Sequence, residues 1–165
     1  MTLIIKHISQ NDWPLIAAIY QQGIDTGLAT FETHVPSWEK WDSAHLSICR
    51  YAAWSNNRLL GWAALSPVSK RSVYRGVAEV SIYIDTEFTR QGVGSKLLDL
   101  LITESEKEGY WTLQSGIFPE NQASIALHIK KGFRRIGYRE KIAQLHGIWH
   151  DNVLMERRSK SVTLN

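Results

Sequence analysis

Residues 77–85 alternate in character: Ala78, Val80, Ile82 and Ile84 are apolar, while Glu79, Ser81, Tyr83 and Asp85 are polar. A period of two is that of a strand with one face in the core, so Glu79 is expected to point away from the apolar layer. Further on, Leu97, Leu98, Leu101 and Ile102 recur at helical spacing, and Arg90-Gln91-Gly92-Val93-Gly94 lies between the two patterns. Upstream, residues 3–8 read as a first strand. Ser9-Gln10-Asn11-Asp12 ahead of Trp13-Pro14 offers capping side chains and a proline in the first helical turn. Trp13, Ile16, Ala17 and Tyr20 would form the buried stripe of that helix, which is expected to end near Gly23. Thr30-Phe31-Glu32-Thr33 is expected to be irregular, and Pro36-Ser37 to open a second helix carrying Trp38 and Trp41.

Residues 51–54 and 59–66 read as strands joined through Asn56-Asn57, since asparagine tolerates the positive φ of a tight hairpin. A polar, basic connection with Lys70, Arg71, Tyr74 and Arg75 leads into the Glu79 strand. Past the central helix, Gly109 is placed as a C-terminal cap, residues 111–118 as a strand, Asn121 as the start of a short helix and Gly132 as its end. Residues 133–144 and 147–156 then pair around His146-Gly147, and the polar tail 157–165 is expected to fray. The order is βα(α)ββ, βα, βα, ββ, which predicts one α/β domain (α+β mixed) with a mixed sheet and helices on both faces.

At 165 residues the chain suits a single core that buries roughly 70% of the unfolded surface. Lysine and arginine total 19 against 16 acidic residues, and no long basic tract occurs, which suits a small polyanion and argues against nucleic acid. The single cysteine, Cys49, lies in an apolar run, so neither an internal disulfide nor a cysteine metal cluster is expected; buried filler is. His34, His45 and His150 lack metal-site spacing, and no metal is expected. His150-Asp151 reads as a strand-end turn, with a functional pair as the other possibility. No signal-peptide pattern opens the chain and no apolar run approaches membrane-spanning length, so a cytoplasmic protein with no membrane contact is expected.

The strand, glycine loop and helix start from Glu79 onward form a possible phosphate cradle, with amides unpaired at a helix N-terminus and a carboxylate upstream. A Walker A loop would need Gly-Lys-Ser/Thr, and a dinucleotide fingerprint a third glycine where Leu97 stands. Taken alone, the loop reads equally as a tight turn.

A second segment, Asn121-Gln-Ala-Ser124-Ile-Ala-Leu127-His128-Ile-Lys-Lys-Gly132-Phe133, follows the 111–118 strand at the distance of a further βα unit. Together the two segments resemble the GCN5-related N-acetyltransferase (GNAT) family over nearly the whole chain. With Ile19-Tyr20, Thr30-Phe31-Glu32 and Leu145-His-Gly-Ile-Trp-His150-Asp151, the resemblance extends to its phosphinothricin and methionine sulfoximine acetyltransferase branch. The resemblance implies a GNAT fold with a central, mostly antiparallel sheet of about seven strands. It also implies acetyl-CoA as cosubstrate, a small amino-acid acceptor and a homodimer.

By the same resemblance, amides from Gln91 to Ser95, over Gly92, Val93 and Gly94, hold the diphosphate with Arg90 and Lys96 beside them, while the backbone of Ile82, Tyr83 and Ile84 pairs with the pantetheine arm. Thr89 stands where the family usually has Gln or Arg. Glu79 is the general base that the resemblance implies; from its spacing alone it reads rather as a solvated glutamate on a strand face. His128 occupies the place of a tyrosine near the sulfur in many members, as a proton donor to the thiolate or as a packing residue. Asn121 contacts the cofactor arm or caps its helix, and Lys130 is a further phosphate contact. Phe31, Glu32, Arg71, Val73 and Tyr74 line the acceptor site, with Arg71 on a substrate carboxylate; otherwise Phe31 and Tyr74 belong to a dimer interface and the loop cations to solvent. Against these stand a polyamine, aminoglycoside or protein N-terminus as acceptor, and a noncatalytic acyl-CoA-binding module.

Overall fold

The computed structural model describes residues 1–162. Its elements are β1 (Ile4–His7), α1 (Trp13–Asp25), α2 (Trp38–Ala44), β2 (Arg50–Ser55), β3 (Arg58–Pro67), β4 (Val77–Ile84), α3 (Val93–Lys107), β5 (Thr112–Ile117), α4 (Gln122–Lys130), β6 (Arg134–Leu145) and β7 (Ile148–Arg158), with short 3-10 turns between some of them. The seven strands form one sheet in the order β1-β2-β3-β4-β5-β7-β6. Only β4 and β5 run parallel; every other neighbouring pair is antiparallel.

The joints follow from the residues that make them. Asn56 and Asn57 take φ of 47° and 61° between β2 and β3, and His146 and Gly147 take 50° and 78° between β6 and β7, the left-handed pairs that a twisted two-residue hairpin needs. Helix α3 stops where Gly109 turns to φ 85°, with Gly109 N–H bonded to Glu106 O and Tyr110 N–H to Ser105 O at 2.9 Å. These two bonds satisfy carbonyls that the helix end leaves open.

Helices α1 and α2 pack on one face of the sheet, where Ile16, Ile19, Ile24 and Trp41 close over Ala52, Leu59, Trp62 and Ala64. On the other face, Leu97, Leu98 and Leu101 of α3 and Ile125 of α4 bury with Leu65, Ala78, Val80, Leu113 and Met155. Each leucine, isoleucine, valine or methionine among them contributes roughly 1.5–3 kcal/mol by leaving water. Among the described residues the first layer reaches β2, β3 and β4, and the same face of β5, β7 and β6 has no helix over it. Cys49 is buried as expected, and desolvation pushes its thiol up to about 12, which keeps it protonated.

Three expectations need correction. Helix α1 runs through Gly23 to Asp25, and its buried residues are Ile16, Ile19, Tyr20 and Ile24, with Trp13 and Ala17 only half-buried. Gly23 is a packing residue rather than a terminator: a Cβ there would lie 2.5 Å from Cδ1 of Tyr83. Tyr83 belongs to core rather than to a polar face, its ring stacked 4.8 Å from Trp62 and edge-on to Tyr20 at 4.9 Å. The tail does not fray at residue 157. Arg157 pairs with Glu106 at 2.8 Å, and the buried Ser159 donates its N–H to Trp111 O and its hydroxyl to Glu106, both at 2.8 Å. Residues 163–165 of that tail lie outside the described residues.

Replacing Gly23 by alanine sets helix propensity, worth about 1 kcal/mol in favour of alanine, against overpacking, which costs about 1–3 kcal/mol. The Tyr83 ring cannot retreat between Tyr20 and Trp62, so overpacking prevails. Gly23→Ala is expected to lower unfolding free energy by about 1 kcal/mol in urea titration; an increase would show that the ring moves freely.

Candidate active site

Strands β4 and β5 pair only through Val77, Ala78 and Glu79 with Thr112, Leu113 and Gln114. Both strands continue, to Ile84 and Ile117, without pairing further with each other. The edge of β4 beyond Glu79 therefore presents backbone N–H and C=O groups with no strand partner, a state that calls for water or a ligand. A cleft of about 570 Å³ occupies this fork, within the usual range for small-molecule sites. Its walls include Glu79, Gln114 and Tyr83 from the α1/α2 face and Ile82, Ile117 and Met155 from the α3/α4 face, so it passes through the sheet. Ile82, Tyr83 and Ile84, the predicted partners of an extended arm, all lie beyond the last β4–β5 pair.

At the open end of the fork the glycine loop turns into α3. Arg90 and Gly92 take φ of 61° and 83°, which throws the chain into the helix at Val93. The first intrahelical bond is Lys96 N–H to Gly92 O at 3.1 Å, so the amides of Val93, Gly94 and Ser95 precede the ladder and sit at the positive end of the helix dipole. Gly94 allows a close fit: a Cβ there would stand 3.2 Å from Leu127 of α4 and 3.6 Å from Ile84 of β4. Arg90, Gln91 and Lys96 are exposed around this turn, and the Gln91 amide donates to Glu87 O at 3.2 Å. The structure thus gathers residues 90–95 at one place, with Val93 buried and only its backbone available.

Glu79 is exposed at the point where the strands part, and its cross-strand neighbour Gln114 donates Nε2–H to Glu79 Oε2 at 3.2 Å. His128 is fully buried and also lines the cleft. Its Nδ1 lies 2.7 Å from Ser124 O; a carbonyl only accepts, so Nδ1 carries the proton. Desolvation lowers the His128 pKa, which keeps the ring neutral, and Nε2 is left as a lone pair without a partner. An imidazole in that state accepts a hydrogen bond at Nε2, which suits the packing alternative better than that of a donor to a thiolate. Asn121 caps α4 by accepting from Ser124 N–H at 3.2 Å, and its Nδ2 donates to Leu28 O at 3.4 Å, strapping the α1–α2 connection to α4.

That connection brings Phe31 and Glu32 to the cleft wall, where Phe31 lies edge-on to Phe118 at 4.7 Å. Arg71, Val73 and Tyr74 are not brought there. They occupy an exposed 3-10 turn with the Arg71 guanidinium 5.6 Å over Tyr74, while Arg75 covers Trp111. The physical reason is the closed end of the fork: Gly76 O accepts from Trp111 N–H and Thr112 N–H, which pins the loop beside the β4–β5 pairing and outside the opening. Lys130 is exposed in the last turn of α4 and off the cleft wall; Lys131 is the lysine tied to α3, through Asp99 at 2.7 Å.

Several wall residues were not anticipated from sequence: Gln114, His45, Asn152, Ile142 and Arg139. Gln114 was within reach, because the 111–118 strand sets it in step with Glu79. Arg139 was not, because β6 is bulged. Asp151 accepts from Lys141 N–H at 2.7 Å and from the Tyr138 hydroxyl, so it is a fastening in mid-hairpin, and His150 packs against Phe118 at 5.2 Å. Among the described residues, no group of three His, Cys, Asp or Glu could hold a metal ion, and no helix is long and apolar enough to cross a membrane.

The family model described as Acetyltransferase (GNAT) family matches residues 15–133. The chain is 31% identical over 159 residues to the phosphinothricin N-acetyltransferase of Alcaligenes faecalis, covering 93% of this chain and 81% of that protein. It is 25% identical over 172 residues to an L-methionine sulfoximine/L-methionine sulfone acetyltransferase of Pseudomonas aeruginosa, covering 94% of each. A GNAT superfamily phosphinothricin acetyltransferase from Sinorhizobium meliloti, solved in complex with acetyl-CoA, superposes with a TM-score of 0.87 at 27% identity. The match spans 96% of this chain and 89% of that one.

Because burial lowers the His128 pKa, the unfolded chain binds a proton there at a pH where the native state does not. Stability is expected to fall as pH drops below about 6.5 and to level off below the native pKa. His45, half-buried and with its pKa also lowered by desolvation, acts in the same direction. In His128→Asn, the difference between urea midpoints at pH 7.5 and 5.5 should shrink; an unchanged difference would mean that His128 titrates alike in both states.

Proposed function

The chain belongs to the acetyltransferase (GNAT) family, and on that basis we propose that it acetylates the α-amine of a small amino acid or analogue, such as phosphinothricin, methionine sulfoximine or methionine sulfone, by direct transfer with Glu79 as general base. N-acetyl transfer from acetyl-CoA comes with the family; the acceptor and the base are proposed. The observation that carries it is the position of Glu79, on the last rung of the β4–β5 ladder, facing the opening.

The unpaired amides of Val93, Gly94 and Ser95, with Arg90, Gln91 and Lys96 around them, suit a diphosphate, each helix-end charge interaction being worth about 0.3–1 kcal/mol. The free edge at Ile82, Tyr83 and Ile84 suits an amide-bearing arm laid along it like a further strand. Acetyl-CoA supplies the thioester. An α-amine is mostly ammonium at neutral pH, its reference pKa being near 7.7–8.0, and must lose a proton before it attacks. Glu79 takes that proton, directly or through one water, while Gln114 holds the carboxylate in place. The nitrogen then bonds to the thioester carbon, the C–S bond breaks, and the second nitrogen proton passes to sulfur, giving amide and thiol. No donor side chain is needed for this last transfer, which agrees with the neutral state of His128.

Phe31 and Glu32 remain the acceptor-side residues of this reading, as apolar wall and ammonium partner. The basic loop at Arg71 no longer supports a carboxylate-bearing acceptor, since it stands outside the cleft. A homodimer belongs to the same reading, the exposed Ile148 and Trp149 being a surface free to form it; a monomeric mass by sedimentation equilibrium would remove it.

Free-thiol release on mixing acetyl-CoA with these amino acids should exceed the buffer rate. Glu79→Gln is expected to lower kcat by roughly 10²–10⁴-fold with little change in KM for acetyl-CoA. A kcat near wild type across neutral pH would show that another group is the base. Tight coenzyme A binding by calorimetry without thiol release for any amine would instead favour a noncatalytic binding module.

A further inference from the structure

On β6 the register against β7 jumps from Arg139 opposite Asn152 to Ala143 opposite His150. Three residues, Glu140, Lys141 and Ile142, thus face the single residue Asp151. Lys141 takes φ 46° to allow this. Asp151 closes the bulge by accepting from Lys141 N–H and from the Tyr138 hydroxyl, and these two bonds hold its carboxyl below the usual range. In a regular strand, residues 139 and 142 would point to opposite faces. Across the bulge both reach the cleft wall.

Arg139 is the only lysine or arginine on that wall, and none of the ion pairs among the described residues uses it. The carboxylates sharing the wall are Glu32 and Glu79, and both cleft histidines are kept neutral by burial. The wall therefore has negative charge where an ammonium is to be held and one unpaired guanidinium elsewhere. Glu79 and Arg139 stand far apart. The register places β6 three strands from β4, about 14 Å at the usual spacing. Along β7, Asn152 lies four residues from Glu156, the partner of Gln114, or about 13 Å. The two backbones are therefore roughly 19 Å apart. The farther an anion lies from the ammonium, the nearer it comes to Arg139, so a group at the far end of the acceptor's side chain is better placed to meet it than the α-carboxylate.

We infer that Arg139, presented by the Asp151-stapled bulge, recognises an anionic oxygen group at the end of the acceptor's side chain, so that phosphinate- or carboxylate-ended amino acids are preferred over neutral sulfones and sulfoximines. The inference rests on the proposed amino-acid acceptor and narrows it. A guanidinium meets a two-oxygen anion with paired, charge-assisted bonds, whereas a neutral sulfone offers only weak acceptors.

The test is steady-state thiol release by wild type, Arg139→Gln and Arg139→Lys with phosphinothricin and with methionine sulfone. Wild type should have the higher kcat/KM for phosphinothricin. Arg139→Gln should lose at least about tenfold more on phosphinothricin than on methionine sulfone, through KM for the acceptor, and Arg139→Lys should recover part of the difference. Asp151→Asn, with its fold checked by circular dichroism, should show the same selective loss. Equal losses on both acceptors, or none, would overturn the inference and leave amino-acid acetylation standing. Failure of wild type to acetylate either acceptor would overturn both.

Discussion

Everything at the site depends on two parallel strands that begin as partners and then part. Three rungs join β4 to β5, and beyond them each strand keeps its extended form with one edge unsatisfied. Unpaired backbone groups away from water are unfavourable, so a fork of this kind persists only where packing holds both arms. Here the α3/α4 layer does so on one face, with Leu97, Leu98 and Ile125 over Ala78, Val80 and Leu113. On the other face Tyr83 is wedged between Tyr20 and Trp62 against the bare backbone at Gly23. The arms cannot close without losing one of these contacts.

The same packing explains why the opening is accessible from two sides and to two different chemistries. The glycine turn enters α3 beside Ile84 and Leu127, so the amides at the helix start stand at the open end of the fork. The α1/α2 layer stops at β4, so on that face β5, β7 and β6 have no helix over them among the described residues. Glu79 stands at the junction of these two regions. Its direction is set by strand alternation and its orientation by Gln114 across the ladder.

Much of this was legible in the sequence because the signals are local. A period of two set the face of Glu79, a helical period set α3, and asparagine and glycine pairs marked the hairpins. The fork itself was not expected, the resemblance implying only that the backbone of Ile82, Tyr83 and Ile84 pairs with a cofactor arm, since no pattern within one strand records where its neighbour departs. Arg71 and Arg139 show the limit most clearly. Arg71 lies close in sequence to Glu79 yet falls outside the cleft, because Gly76 and Trp111 pin its loop at the closed end of the fork. Arg139 is remote in sequence and sat within an apparently regular strand. Its place depends on a bulge that needs Asp151 on a different strand and a positive φ at Lys141, a residue type that gives no warning of one.

The division between backbone and side chain also accounts for how far this chain can diverge from its relatives while keeping the fold. At the helix start, what an anion needs is N–H groups, which every residue but proline supplies, together with glycine where φ is positive. Thr89 can therefore stand in place of a more usual Gln or Arg while the turn at Gly92 keeps its form. On the same reading the far wall works by side chains, on an edge strand that pairs with β7 alone among the described residues and that carries a bulge. A one-residue change there alters which group faces the cleft without disturbing α3, β4 or β5. On the proposed reading, selectivity for the acceptor can thus change on β6 while the helix start at α3 stays fixed, because the two are built from different parts of the sheet.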